Sequence, residues 1–158
     1  MGISYTLSKT RRTFGNKTYP FKYDAPHSIT AFGNYALNRG SSISINIQYR
    51  TGYPYYIPNI QYPSPEILSQ SPEYAELKGF LTVDYIPDGP NTRLRDYFRI
   101  DLNYTFEKKL KRDDLQWQFS LLNATNRNNP YAVYRQEDTY KAFVLLPFFP
   151  SISVKRSF

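Results

Sequence analysis

The sequence predicts an all-β fold of about six antiparallel transmembrane strands. Three observations predict it. Apolar and polar side chains alternate in six separate segments, the connections between those segments run long, short, long, short, long, and 18% of residues are aromatic although mean hydropathy is only -0.59.

Alternation with a period of two puts one side-chain set on each face of a strand. Gly2 to Thr10 places Ile3, Tyr5 and Leu7 on one face and Ser4, Thr6 and Ser8 on the other. Ser28 to Leu37 keeps Ile29, Ala31, Tyr35 and Leu37 in phase. Ser42 to Arg50 sets Ile43, Ile45, Ile47 and Tyr49 against Ser42, Ser44, Asn46, Gln48 and Arg50. Tyr97 to Glu107 sets Phe98, Ile100, Leu102, Tyr104 and Phe106 against Arg99, Asp101, Asn103, Thr105 and Glu107. In the fifth segment Leu115, Trp117, Phe119 and Leu121 alternate with Gln116, Gln118 and Ser120. The last segment sets Ile152, Val154 and Phe158 against Ser151, Ser153, Lys155 and Ser157, with Arg156 on the apolar side, where a long cation near an interface can snorkel.

The connections separate two readings of this alternation. A soluble or surface-exposed β-sheet binding module, such as a β-sandwich or lipocalin-like barrel, also alternates, with its apolar side turned into a core. Membrane barrels have tight turns on the periplasmic side and extended external loops. Here residues 11–26, 51–96 and 124–149 form long connections, while Asn38-Arg39-Gly40-Ser41 and Lys108 to Asp114 form short ones. The short connections must share one side, so the first segment runs outward and the last returns to the periplasm. Rings then fall at two depths: Phe106, Trp117 and Phe158 at the inner rim, and Tyr49, Tyr53, Tyr97 and Phe98 at the outer rim. Within the longest loop, Ser64-Pro65-Glu66 and Ser71-Pro72-Glu73 each combine an N-cap, a first-turn proline and an acid, which predicts one or two short helices.

Composition removes several function classes. No segment reaches the roughly 18 consecutive apolar residues of a spanning helix. The chain has no cysteine and one histidine, His27, so thiolate chemistry and a histidine metal cluster are excluded. Lys and Arg number 20 against 13 Asp and Glu, a net charge of +7, but the cations are scattered or lie in turn segments, with no nucleic-acid module around them. No nucleophile–base, phosphate-loop or metal-ligand spacing is present. Asp84 and Asp88 lack the spacing of a calcium loop. Asp101 and Glu107 share a face but stand roughly 20 Å apart at about 3.3 Å per residue, too far for a carboxylate pair. The expectation is therefore no enzyme: no catalytic residue, no metal site and no cofactor.

Several local patterns resemble the TonB-dependent outer-membrane receptors, in the form common among Bacteroidetes-type bacteria. Tyr5-Thr6-Leu7-Ser8-Lys9 with Phe21-Lys22-Tyr23-Asp24-Ala25-Pro26-His27-Ser28-Ile29 resembles that family's strand, loop and return strand. Gly89-Pro90-Asn91-Thr92-Arg93-Leu94, with Asp96-Tyr97-Phe98-Arg99-Ile100-Asp101-Leu102, is similar to its entry into a late strand. Asn123-Ala124-Thr125-Asn126-Arg127-Asn128-Asn129-Pro130-Tyr131 resembles the exit of the penultimate strand, and Pro150 to Phe158 the terminal one.

The resemblance implies that residues 1–158 are the C-terminal segment of an outer-membrane barrel of about 22 strands in a Gram-negative bacterium. It implies a nutrient importer for a siderophore, vitamin, glycan or peptide, with a plug domain in the lumen contacting TonB. The chain as read has no plug and no signal peptide, so the plug and the remaining strands come from elsewhere in the same or another chain. An open sheet of six strands would leave unpaired edges in hydrocarbon at several kcal/mol per group. Phe158 is implied to be the signal read by the barrel-assembly machinery. Ligand contact is expected from the loops and lumen face, with Arg50, Tyr55, Tyr56 and Arg99 as candidates. The competing roles are loop packing for the tyrosines and a salt bridge to Asp101 for an arginine.

Overall fold

A computed structural model describes residues 1–38, 40–57, 60–63, 82–85, 89–109, 114–136 and 139–157. The proline-headed segments at 64–66 and 71–73, Asp88 and Phe158 lie outside these residues, and Arg39 does too.

Among the described residues the regular elements are all strands. In chain order they are β1 (Gly2–Leu7), β2 (Arg11–Phe14), β3 (Lys17–Pro20), β4 (His27–Asn38), β5 (Ser41–Arg50), β6 (Pro54–Tyr55), β7 (Ile60–Pro63), β8 (Thr82–Tyr85), β9 (Thr92–Arg93), β10 (Tyr97–Lys109), β11 (Asp114–Leu122), β12 (Asn129–Gln136), β13 (Thr139–Leu145) and β14 (Phe149–Ser157). Six of these form one sheet in the order β1-β4-β5-β10-β11-β14. They are the six alternating segments of the sequence, each paired antiparallel with its neighbour in chain order.

The register joins the alternating side chains into continuous rows. One row runs Tyr35, Ile43, Tyr104, Phe119, Ile152, and the next Gly33, Ile45, Leu102, Leu121, Pro150. On the opposite face Asn34, Ser44, Asn103, Ser120 and Ser151 form the matching polar row. Aligned pairs of this kind are what stabilise a sheet from within. Tyr104 and Phe119 add a ring contact at 6.3 Å.

Among the described residues burial falls mainly on polar side chains. They are Asn123 at 0%, Asn129 at 1%, Asp24 at 3% and Asp101 at 4% exposure, and beside them Leu94 at 9%, Gly52 and Pro54 are buried. Ile3, Tyr35, Ile43, Ile45, Phe119, Ile152 and Val154 are exposed along the apolar face. Ile100 and Leu102, flanked by neighbours, are half-buried. Among the described residues the apolar side of the sheet thus lies largely at the surface.

The long connections fold into ribbons of their own rather than running as open loops. Arg11–Phe14 and Lys17–Pro20 form a hairpin across Gly15-Asn16, where Gly15 adopts φ 56° as a two-residue turn with glycine first requires. In the second connection β6 pairs β9 and β7 pairs β8, a nested ribbon. In the third, β12 pairs β13, with a bulge at Tyr131 between Pro130 and Ala132.

Strand β1 ends at Leu7, three residues before the alternation does. Its partner β4 begins at His27, after Pro26, whose nitrogen carries no hydrogen to donate. The chain leaves the sheet there, with the Ser8 amide donating to Pro26 O at 3.0 Å.

Candidate functional site

The polar atoms that the fold buries gather where the three long connections leave the sheet. Arg93 Nη2 donates to Asp24 Oδ2 at 2.5 Å, and its Nη1 donates to the carbonyls of Asp24 and Gly52 at 2.9 and 3.0 Å. The Thr10 amide donates to Asp24 Oδ1 at 2.7 Å. One arginine thus ties the first connection to the second. Burial pushes the Asp24 carboxyl up, but the Thr10 amide and the Arg93 guanidinium outweigh it and hold the group below the usual carboxylate range.

Asp96 plays a parallel part at the foot of β10. It accepts from the Gly52 amide at 2.9 Å and the Tyr49 hydroxyl at 2.8 Å, and these two bonds hold its carboxyl below the usual range. Gly52 sits so tightly under Leu94 that a Cβ there would fall 1.6 Å from the Leu94 carbonyl oxygen. Only glycine allows that approach.

The third connection is fixed by asparagines. Asn129 accepts from the Phe98 amide and donates to the Phe98 carbonyl, both at 3.0 Å, which reproduces with a side chain the two bonds of a strand partner. Asn123, at φ 50°, donates through Nδ2 to Arg127 O and Leu146 O at 3.0 and 2.8 Å. Its own amide donates to Asp101 Oδ1 at 3.0 Å. Asparagine tolerates this left-handed backbone better than most residues. The end of β10, from which β11 has departed, is capped this way instead of being left as a bare edge.

Above these anchors lies a column of rings. Phe21 meets Tyr23 edge-on at 5.7 Å, Tyr23 meets Tyr53 at 5.6 Å, and the Arg50 guanidinium lies 4.0 Å from the Tyr53 ring and 5.2 Å from that of Tyr97. This sets Tyr53 and Tyr97 apart from the rings of the apolar face, at the same end of the sheet. The register pairs Tyr97 with Arg50 on the polar face, so both rings pack on Arg50, and only Tyr49 and Phe98 of that set belong to the apolar side. Tyr97 and Phe98 are neighbours along β10 and so point to opposite faces, while Tyr53 lies beyond the end of β5, where strand alternation no longer applies.

Of the expected contact residues, Arg50 is held between two rings. Arg99 chelates Asp101 through Nε and Nη2 at 2.7 and 2.6 Å, the salt-bridge role. Tyr55 donates to Val133 O at 2.8 Å and so joins the second connection to the third, and Tyr56 is half-buried beside it in the chain. Tyr55 also lines a cleft of about 210 Å³ with Tyr23, Tyr53 and Tyr131, while Arg50, Arg99 and Tyr56 do not. Tyr23 and Tyr131 had no distinguishing spacing, because the bulge and the loop crossings that bring them together are tertiary. Among the described residues no group of three or more His, Asp or Glu is placed to hold a metal ion.

No family model, curated protein or solved structure matches the chain.

Proposed function

We propose that this chain is the C-terminal barrel part of a TonB-dependent outer-membrane receptor that imports a scarce nutrient. One observation supports the reading above all: a six-stranded antiparallel meander exposes its apolar face and buries polar side chains, the reverse of a soluble domain. An uninterrupted apolar surface across six strands needs a cover, and hydrocarbon supplies one without a second protein layer. Strand order equal to chain order, with short connections at one end and folded ribbons at the other, fits an up-and-down barrel wall.

In this reading the polar face lines a watery lumen, and the ribbons form the outer loops. The open edges of β1 and β14 join further strands of the barrel, since unpaired backbone is costly in lipid. The plug, with its TonB contact, lies in that remainder, and Phe158 serves the barrel-assembly machinery. Substrate capture falls to the loop end.

Fractionation of cells producing the chain from its own gene tests this. The chain should sediment with the outer membrane, resist a urea wash and depend on coding sequence for further alternating strands and a plug. Recovery in the soluble fraction, or a locus encoding none of these, would overturn the reading.

A further inference from the structure

The cleft at the loop end has the build of a ligand site. All three long connections contribute to it: Tyr23 from the first, Tyr53 and Tyr55 from the second, and Tyr131 from the third. Pro54 and Leu94, both buried, form its floor, and the exposed Lys22 stands at its rim with Nζ 5.2 Å from the Tyr23 ring. Tyr131 is the extra residue of the bulge in β12, and it is 68% exposed. A bulge re-aims a side chain, and bulges recur beside binding sites for that reason. The second connection is braced against the third by Tyr55, so two walls are fixed relative to each other.

The lining selects the occupant. A cavity of about 150 Å³ holds a benzene ring, so a cleft of about 210 Å³ takes one substituted ring. Four phenol rings offer stacking and edge contacts to a planar π-system. Among the described residues no carboxylate or amide side chain lines the cleft, so the hydroxyls of a sugar ring would find only phenol oxygens as side-chain acceptors. Among the described lining residues the one charged group is the Lys22 cation, which favours an anionic substituent.

We propose that this cleft binds a planar aromatic ring bearing a carboxylate, the ring held among Tyr23, Tyr53 and Tyr131 and the carboxylate paired with Lys22. The inference deepens the proposed function, on which it rests for the cleft's outward position, by naming the chemical class of ligand group captured.

The experiment uses protein purified in mild detergent from membranes of the producing cells, with 4-hydroxybenzoate as probe and saturation-transfer NMR as readout. Benzyl alcohol, cyclohexanecarboxylate and glucose are the comparators. Binding of 4-hydroxybenzoate should exceed that of all three, and Tyr131→Ala should weaken it about tenfold. Lys22→Gln, a milder change on an exposed side chain, should erase the preference for 4-hydroxybenzoate over benzyl alcohol while leaving benzyl alcohol binding unchanged. Equal binding of glucose or cyclohexanecarboxylate, or indifference to both substitutions, would overturn the proposal. Membrane localisation with no aryl carboxylate binding would sink this inference alone; binding by a protein found in the soluble fraction would sink the receptor reading alone.

Discussion

Asp24 and Arg93 stand 69 residues apart in the chain, and their side chains meet at 2.5 Å with the carboxylate 4% exposed. The pair joins two long connections at the point where both leave the sheet. Breaking such a pair leaves a charge with a poor environment, and that loss is felt locally.

Replacing Arg93 with alanine therefore loosens the loop end while the six-stranded sheet persists. Asp24 loses its guanidinium, and the carbonyls of Asp24 and Gly52 lose a donor. Because Arg93 is partly exposed, water compensates in part, and the expected cost is about 1–2 kcal/mol. Hydrogen exchange checks it: the Thr10 and Gly52 amides should exchange faster, with strand amides such as that of Ile45 unchanged.

The same anchors make the loop end acid-sensitive. Asp24 and Asp96 both have carboxyls held below their ordinary value by donors that the unfolded chain lacks. A depressed folded-state pKa contributes stability that is complete above the unfolded value, about 3.9, and is lost as pH falls through the folded one. Loop-amide protection should thus be flat from neutral pH down to about pH 4 and collapse below it. Asp24→Asn should flatten part of that acid limb.

Gly52→Ala is expected to be among the most damaging small substitutions. The added methyl would overlap the Leu94 carbonyl, so the segment between β5 and β6 must shift away from β9. A cost of about 1–3 kcal/mol is expected from overpacking alone. Urea unfolding of the membrane-extracted protein should show a lower midpoint, whereas Gly33→Ala, whose Cβ meets Ile45 at an ordinary 3.5 Å, should be near neutral.

Asn123→Ala removes a wholly buried amide that donates to two carbonyls. The orphaned acceptors at Arg127 and Leu146 and the alanine's strain at φ 50° together cost about 2–4 kcal/mol. Asn123→Gly relieves the backbone strain but not the orphaned carbonyls. It should fall between alanine and the native residue in thermal stability.

Much of the sheet was legible in the residues, because period-two alternation reports directly on which face a side chain takes. Ile43 to Tyr49 and Phe98 to Phe106 fell on one face, whereas their mutual register, set across the long connection 51–96, was not legible. The loop ribbons were not read, although Gly15-Asn16 between Arg11–Phe14 and Lys17–Pro20 is a hairpin turn signal. The anchors at Asp24–Arg93 and Asn129–Phe98 were invisible for a different reason. They depend on which distant loops cross, and no local pattern encodes that. Depth along the strand grouped Tyr97 with Phe98, but adjacent strand residues take opposite faces, and Tyr53 lies beyond the end of β5, where no alternation reports its surroundings.

Lipid facing is decided by one strand. The chain has no native cysteine, so single cysteines at Ile43, Ser44, Ile45, Asn46 and Ile47 of β5 can each carry a spin label. In membranes of cells producing the chain from its own gene, positions 43, 45 and 47 should be quenched by oxygen dissolved in lipid. Positions 44 and 46 should respond to a water-soluble nickel chelate. Loss of this two-residue alternation, with 43, 45 and 47 shielded from both reagents, would mean that the apolar face packs on protein and would contradict a barrel wall.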